Sequence, residues 1–326
     1  MQNNSLEHIY SLVSQGFEKY KVNKHPENLY QPIDYILELG GKRLRPVLTL
    51  LSAAMFNKDV AQFLQPAMAV EVFHNFTLMH DDIMDQAPLR RGKETVHTKW
   101  NTNIAILSGD VMLVKAYDLL LQSPVEHLPT ALALFNKCAI EVCEGQQLDM
   151  DFEQRNDVQT EEYIEMIRLK TAVLLGFALE LGGLLADATV EQRTVLQKYG
   201  ELIGIGFQLK DDLLDVFGES AKVGKQVGGD IISNKKTYLL LTALQKAEGK
   251  TLESLKSWIA AEIFNPEEKV QAVKAIYEEL NIKADTEVLI NSYFESALAL
   301  LLKLNVGPMA TAQLKNFTLQ LINRDK

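Results

Sequence analysis

Residues 67–85 read AMAVEVFHNFTLMHDDIMD, and the fold class turns on how this stretch is read. Met68, Val70, Val72, Phe73, Phe76, Leu78 and Met79 give it the composition of a buried helix, yet it ends in three carboxylates within five residues. At 100° per residue, Asp81 and Asp85 lie about 40° apart and one turn along the axis. Charges in an apolar helix are costly unless they are paired or bind a metal, and neighbouring carboxylates also repel one another. Taken alone, the DDxxD pattern reads equally as a solvated helix end or as a cation site.

Outward from this stretch the same periodicity continues. Ile9, Leu12, Val13, Phe17 and Tyr20 fall on one helix face. Similar patterns run over Val47–Phe56, Ile104–Leu121, Ala131–Gln147, Glu161–Leu185, Arg193–Phe217, Thr237–Ala247, Glu267–Leu280, Asp285–Leu304 and Pro308–Arg324. Breaks come at Gly40-Gly41, Pro88–Gly92, Ser123-Pro124, Gly218–Gly229 and Gly307-Pro308, where turn chemistry places them. Short runs such as Leu48–Leu51 have strand composition, but the helical periodicity around them outweighs it. The pattern predicts one all-α domain over residues 1–326.

The chain carries 33 basic and 43 acidic side chains, a net charge of −10, with 47% hydrophobic and 23% charged residues. That balance is globular, and it argues against a nucleic-acid partner or broad attachment to anionic lipid. The longest apolar runs, Ala131–Phe135 and Ala297–Leu302, are far shorter than the about 20 residues that span a bilayer, so no stable membrane insertion is expected. MQNNSLEHIY has no basic segment followed by an apolar one. Cys138 and Cys143 read as two buried thiols in a reducing compartment, and a cytoplasmic location is expected.

The acidic device recurs 130 residues further on. Asp211-Asp212-Leu213-Leu214-Asp215 again follows an apolar helical stretch, through Leu202, Ile203, Ile205, Phe207 and Leu209. Two copies of so costly an arrangement are poorly explained as two solvated faces. If both helices face one cavity, their carboxylates form an all-oxygen cage suited to Mg²⁺. Magnesium so held keeps part of its hydration and accepts phosphate oxygens, which points to a diphosphate ligand. Basic residues stand where that ligand needs them, in Gly40-Gly41-Lys42-Arg43-Leu44-Arg45-Pro46 and in Arg90-Arg91-Gly92-Lys93. Either cluster in isolation also reads as a surface loop.

His74 shares nearly the same face as Asp81, although a histidine there is also compatible with a satisfied core residue. Lys170-Thr171 interrupts an apolar stretch, and a lysine in that position needs an anionic partner. Gln208 lies three residues before Asp211. Lys225 and Lys235 lie in and just after a glycine-rich segment that is not a P-loop. No nucleophile-elbow or zinc motif is present, so acyl transfer and zinc chemistry have no support.

GGKRLRP (40–46), the HxxxxxHDDxxD segment with its trailing RRG, GQQLDMD (145–151), KTA (170–172), FQLKDDLLD (207–215) and GKQVGGD (224–230) occur in this order. The set resembles the trans-isoprenyl diphosphate synthases, or polyprenyl synthetases, over about residues 38–240. The resemblance implies a bundle of long antiparallel helices around a central cavity, assembled as a homodimer. It implies that Asp81 and Asp85 bind two Mg²⁺ and Asp211 a third, with Asp82 and Asp215 in support. It assigns Arg90, Lys170, Lys225 and Lys235 to an allylic diphosphate (dimethylallyl, geranyl or farnesyl). Lys42, Arg45, His74 and Arg91 go to isopentenyl diphosphate. Thr171 and Gln208 would stabilise the allylic carbocation with their dipoles.

The family sets product length through bulky residues just before the first Asp motif, here Phe76, Thr77 and Phe73. A single aromatic at the fifth position before Asp81 resembles the geranylgeranyl branch. Farnesyl diphosphate is the alternative, ahead of a longer polyprenyl product or a non-catalytic subunit. A helical wheel alone puts Phe76 about 140° from Asp81 and Thr77 about 40°, so Phe76 as the tunnel floor comes from the family. Terpene cyclases share the fold and an Asp-rich motif but lack the paired DDxxD and the basic segments.

Overall fold

A computed structural model describes residues 5–22, 24–56, 58–218 and 228–322. Regular structure among them is helical except for one two-stranded hairpin, Leu89–Arg90 against Lys93–Glu94. The described residues fall into two compact units. One comprises Met1–Ala139, Leu174–Lys198 and Lys303–Leu314, and the other Ile140–Val173, Tyr199–Leu302 and Lys315–Lys326.

In the first unit, α1 (Leu6–Lys19) starts where Ser5 Oγ accepts the His8 amide, and it buries Ile9, Val13 and Phe17. This is the face that the periodicity selects. Next come α2 (Glu27–Glu38), α3 (Leu44–Ala54) and α4 (Leu64–Met84). Because α4 is apolar almost all round, it must be enclosed. α1, α2 and α3 pack against it, and the broadest contact is with α6 (Thr102–Leu120), which follows the short α5 (Val96–Lys99). The α4–α6 approach is close enough that a Cβ on Gly109 would lie 2.3 Å from His80 Nε2.

Three long helices follow: α7 (Leu128–Gln154), α9 (Val173–Leu185) and α10 (Val190–Phe217), with α8 (Thr160–Ile167) before α9. α3 crosses α9 where Ser52 Oγ donates to Leu179 O at 2.6 Å and Gly182 lies against Thr49. Within the second unit, Gly206 of α10 lies against the fully buried ring of Phe294.

Three local readings change. The single helix expected over Glu161–Leu185 is interrupted by a π-helical turn at Arg168–Ala172, between α8 and α9. Helices Glu27–Glu38 and Gly249–Ala260 were not singled out by the apolar periodicity. The first contains Pro32, which reads as a breaker, and the second buries only Leu255. Cys138 is buried as expected, but Cys143 is exposed, because its helical position faces outward. Leu48–Leu51 is helical, in agreement with the periodicity.

A methyl group on Gly182 would stand 2.0 Å from Thr49 O and 2.8 Å from Ser52 Cβ, so α3 and α9 would have to separate. Gly182→Ala is expected to destabilise the protein by about 1–3 kcal/mol, measured by chemical denaturation. An unchanged midpoint would show that the crossing yields freely.

Candidate active site

The first acidic segment ends α4. Asp82 is 2% exposed, and burial pushes its pKa up while Arg90 opposes the shift. A tight hairpin supplies that arginine. Arg91 (φ 53°) and Gly92 (φ 72°) make the reversal, and Thr95 Oγ1 closes its base on Ala87 O at 2.7 Å. Arg90 Nε donates to both Asp82 oxygens at 2.9 Å, and a terminal guanidinium nitrogen reaches Asp82 Oδ1 at 2.8 Å. Asp81 Oδ2 lies 3.8 Å from the same guanidinium. The middle carboxylate is therefore bound to Arg90, Asp81 is partly buried, and Asp85 is exposed at the helix cap.

Two turns earlier, α4 carries Glu71 and His74 into a basic group. Glu71 is 4% exposed and acts electrostatically with Arg45, Arg91 and Arg43. Burial, then Arg45, Arg91 and Arg90, hold His74 well below the usual imidazole range, so the ring is neutral. The glycine pair explains how Arg91 reaches this place: Gly41 (φ 139°) has no Cβ, and one would lie 2.7 Å from the Arg91 guanidinium. Arg43 is otherwise engaged, lying over the Phe17 ring at 4.5 Å. Arg45 Nε and Glu71 Oε2 are buried without hydrogen-bond partners among the described residues. A buried donor and a buried acceptor of this kind call for a ligand or water. Lys42 is exposed.

The second acidic segment lies in α10 and is solved with different groups. Asp212 is 4% exposed, and burial and then Asp230 push its pKa up to about 7. The buried Tyr163 hydroxyl donates to Asp212 Oδ2, and Gln208 Nε2 donates to Oδ1 at 3.0 Å. This fixes the Gln208 amide so that its carbonyl accepts from Thr171 Oγ1 at 3.3 Å. Lys170, in the π-helical turn, donates to Asp149 at 2.6 Å, the anionic partner that the sequence requires. The turn can meet α7 there because a Cβ on Gly145 would lie 2.2 Å from Lys170 N. Asp215 Oδ2 accepts the Asp230 amide at 2.9 Å, and Asp215 O accepts that of Gly228 at 2.7 Å. Asp211 is partly buried and Lys235 is exposed. Lys225 lies outside the described residues.

Phe73 is 1% exposed, within a ring cluster that includes Phe76 at 5.6 Å and Phe135 at 5.0 Å. Phe76 is partly exposed and stacks edgewise on His80, while Thr77 Oγ1 donates to His74 O at 2.8 Å. Sequence reading missed Glu71, Asp149 and Tyr163. Asp149 stands inside the GQQLDMD motif, and Glu71 is the one acid of α4 before its terminal carboxylates. Tyr163 carries no sequence signal, since only the contact with α10 reveals it.

Among the described residues no group of three or more His, Cys, Asp or Glu side chains converges so as to hold a metal ion by itself. The donors present, Asp81, Asp85, Asp211 and Asp215, are all carboxylates. Within each segment taken by itself, carboxylate oxygens are the donor chemistry that suits Mg²⁺, which retains water and takes up substrate oxygens, better than a softer metal.

The polyprenyl synthetase family profile matches residues 26–280. The geranylgeranyl pyrophosphate synthase of Geoglobus acetivorans is 40% identical over 269 residues, 82% of each chain. The geranylfarnesyl diphosphate synthase of Natronomonas pharaonis is 42% identical over 258 residues, 74% of this chain and 75% of its own. A crystal structure of a geranylgeranyl pyrophosphate synthase superposes with a TM-score of 0.94 at 43% identity, covering 99% of both chains. The fold and these relatives define an all-α prenyl transferase. The chain belongs to the polyprenyl synthetase family.

A neutral His74 in the folded state and an ordinary one in the unfolded chain mean that unfolding takes up a proton below about pH 6.5, so this residue lowers stability as pH falls through that value. Imidazole resonances of His74 followed by NMR from pH 8 to 5.5 are expected to stay those of the neutral ring. A midpoint near 6.5 would show that the surrounding guanidiniums do not act on it.

Proposed function

We propose that the protein condenses isopentenyl diphosphate with an allylic diphosphate (dimethylallyl, geranyl or farnesyl) to give geranylgeranyl diphosphate. The observation that carries this reading is α4, which bears carboxylates at its end and, two turns earlier, a neutral histidine among guanidiniums. One helix thus offers acids for a cation next to donors for an anion. The matched relatives support the product, and farnesyl diphosphate is the alternative. A relative named for geranylfarnesyl diphosphate, at 42% identity, is as similar as one named for geranylgeranyl pyrophosphate, at 40%, so overall similarity does not separate the products.

In this reading residues 1–326 act as one catalytic domain. Asp81 and Asp85 hold two Mg²⁺ and Asp211 a third, with Asp82 and Asp215 supporting them. When bound, the metal ions neutralise charge growing on the departing diphosphate. Arg90, Lys170, Lys225 and Lys235 grip that diphosphate, and Lys42, Arg45, His74 and Arg91 grip isopentenyl diphosphate. A guanidinium has five donors, so Arg90 keeps some for phosphate while its Nε edge binds Asp82. Thr171 and Gln208, aligned through Asp212, direct dipoles at the allylic cation. The isopentenyl double bond attacks that cation, and the released diphosphate removes the final proton. No protein nucleophile is needed. Phe76, with Thr77 and Phe73, limits chain growth.

Two further features complete the reading. On α6, Ile106, Leu107 and Val114 are exposed at helical spacing, a stripe suited to pairing with a second copy as a homodimer. Both cysteines are free thiols, in keeping with the cytoplasm.

Purified protein with Mg²⁺ is expected to convert isopentenyl and farnesyl diphosphates to a product that, dephosphorylated, comigrates with geranylgeraniol. EDTA should abolish turnover, and Asp81→Ala or Asp211→Ala should lower kcat by at least about a hundredfold with little loss of thermal stability. No condensation with any of the three primers would instead indicate a non-catalytic subunit. Phe76→Ala should shift chromatographed products to longer chains, and an unchanged distribution would remove Phe76 as the limit.

A further inference from the structure

Lys269 is 1% exposed, and the reaction described above gives it no task. It lies near the start of helix Pro266–Glu279. Its ammonium donates to Asn234 Oδ1 at 2.8 Å and to Ile232 O at 3.4 Å, and it sits 4.1 Å from the centre of the Phe264 ring. No carboxylate among the described residues pairs with it. An enclosed ammonium without a counter-ion is costly, so carbonyl oxygens and a ring face are its compensation. Those oxygens belong to one turn, which follows the short helix Gly229–Ile232.

That turn is held firmly on all sides. Asn234 adopts a left-handed conformation (φ 54°), and its Nδ2 donates onward to Ile259 O at 3.0 Å. Lys235 N donates to Asp230 O at 2.9 Å. At the other end, Gly228 and Asp230 donate their amides to Asp215. Val270, beside Lys269, closes on Gly228, where a Cβ would lie 2.6 Å from Val270 Cγ2. Residues 228–235 are thus fixed to the second acidic segment at one end and to Lys269 at the other. Lys235 leaves this turn close enough to act electrostatically on Asp212.

We propose that Lys269 is a positioning residue for the allylic diphosphate: its buried ammonium fixes the turn that presents Lys235. This rests on the assignment of Lys235 to that diphosphate made above. Lys269 touches no substrate, so its loss acts through the placement of Lys235 and leaves the isopentenyl site alone.

The test uses the full chain. Lys269→Met keeps the apolar stem and removes the charge, and Asn234→Ala removes its acceptor. For each variant, KM is measured separately for geranyl and isopentenyl diphosphates, with melting temperature and amide hydrogen exchange over residues 228–235. The expected result is an about tenfold rise in KM for geranyl diphosphate, as for loss of one charge-assisted hydrogen bond, with the other KM within about twofold. The double variant should raise KM by less than the product of the two single effects, because both break the link between Lys269 and Asn234. Equal changes in both KM values, or none, would overturn the proposal. Should Lys269→Met fail to fold, Asn234→Ala decides on the same criterion. A wild-type protein that condenses no substrate pair would fault the reaction and not the clamp. Faster exchange over 228–235 in the variants would then uphold the clamp, and unchanged exchange would overturn it.

Discussion

Everything at the candidate site depends on compensating the carboxyl groups placed inside apolar helices. A desolvated carboxylate without partners is neutralised or destabilises its helix. In both acidic segments the middle residue carries this burden: Asp82 and Asp212 are 2% and 4% exposed, while Asp81, Asp85, Asp211 and Asp215 keep contact with solvent. The helical period explains the division, since a residue one step along is turned by about 100° and points back into its own unit. Each unit then supplies donors: a bidentate arginine for Asp82, and a phenol with a primary amide for Asp212. The two solutions differ in charge. Arg90 brings a full positive charge to Asp82, whereas Tyr163 and Gln208 bring dipoles to Asp212; burial leaves both carboxyls shifted upward, and Asp230 adds to the shift of Asp212.

Close backbone approach is the second requirement, and glycine satisfies it at specific places. Gly145 admits the π-helical turn against α7, and that turn presents Lys170 to Asp149 and Thr171 to Gln208 on adjacent residues. π-helical turns are rare within α-helices and concentrate at functional sites. Gly41 does similar work for Arg91, admitting a guanidinium where any side chain would collide with it.

What the sequence made legible follows from the physics that encodes it. Helical periodicity records burial, so the face Ile9, Val13, Phe17 and the enclosed α4 were readable, whereas Glu27–Glu38 was hidden by Pro32 and Gly249–Ala260 by burying little. The π-helical turn was not readable, because one wider turn leaves no trace in a pattern averaged over many residues. Likewise, Lys170 announced its need for an anion by sitting in an apolar stretch. Which anion it finds was visible only in three dimensions. Tyr163 and Glu71 escaped notice for a related reason. A tyrosine or a single acid in a helix is ordinary, and only its surroundings make it informative.

The ring cluster brings a sealed side chain and a partly exposed one together on a single helix. Phe73 and Phe76 are three residues apart on α4 and their rings touch, yet Phe73 is sealed against Phe135 while Phe76 keeps partial exposure. A sealed ring fixes packing, and shortening it leaves a cavity that the whole core feels. A partly exposed ring resting on a sealed one has a rigid base and an open face, so its size changes the space beyond it without disturbing the helix. If Phe76 limits chain growth as proposed, side chains of this second kind are where relatives can diverge in product while sharing one fold.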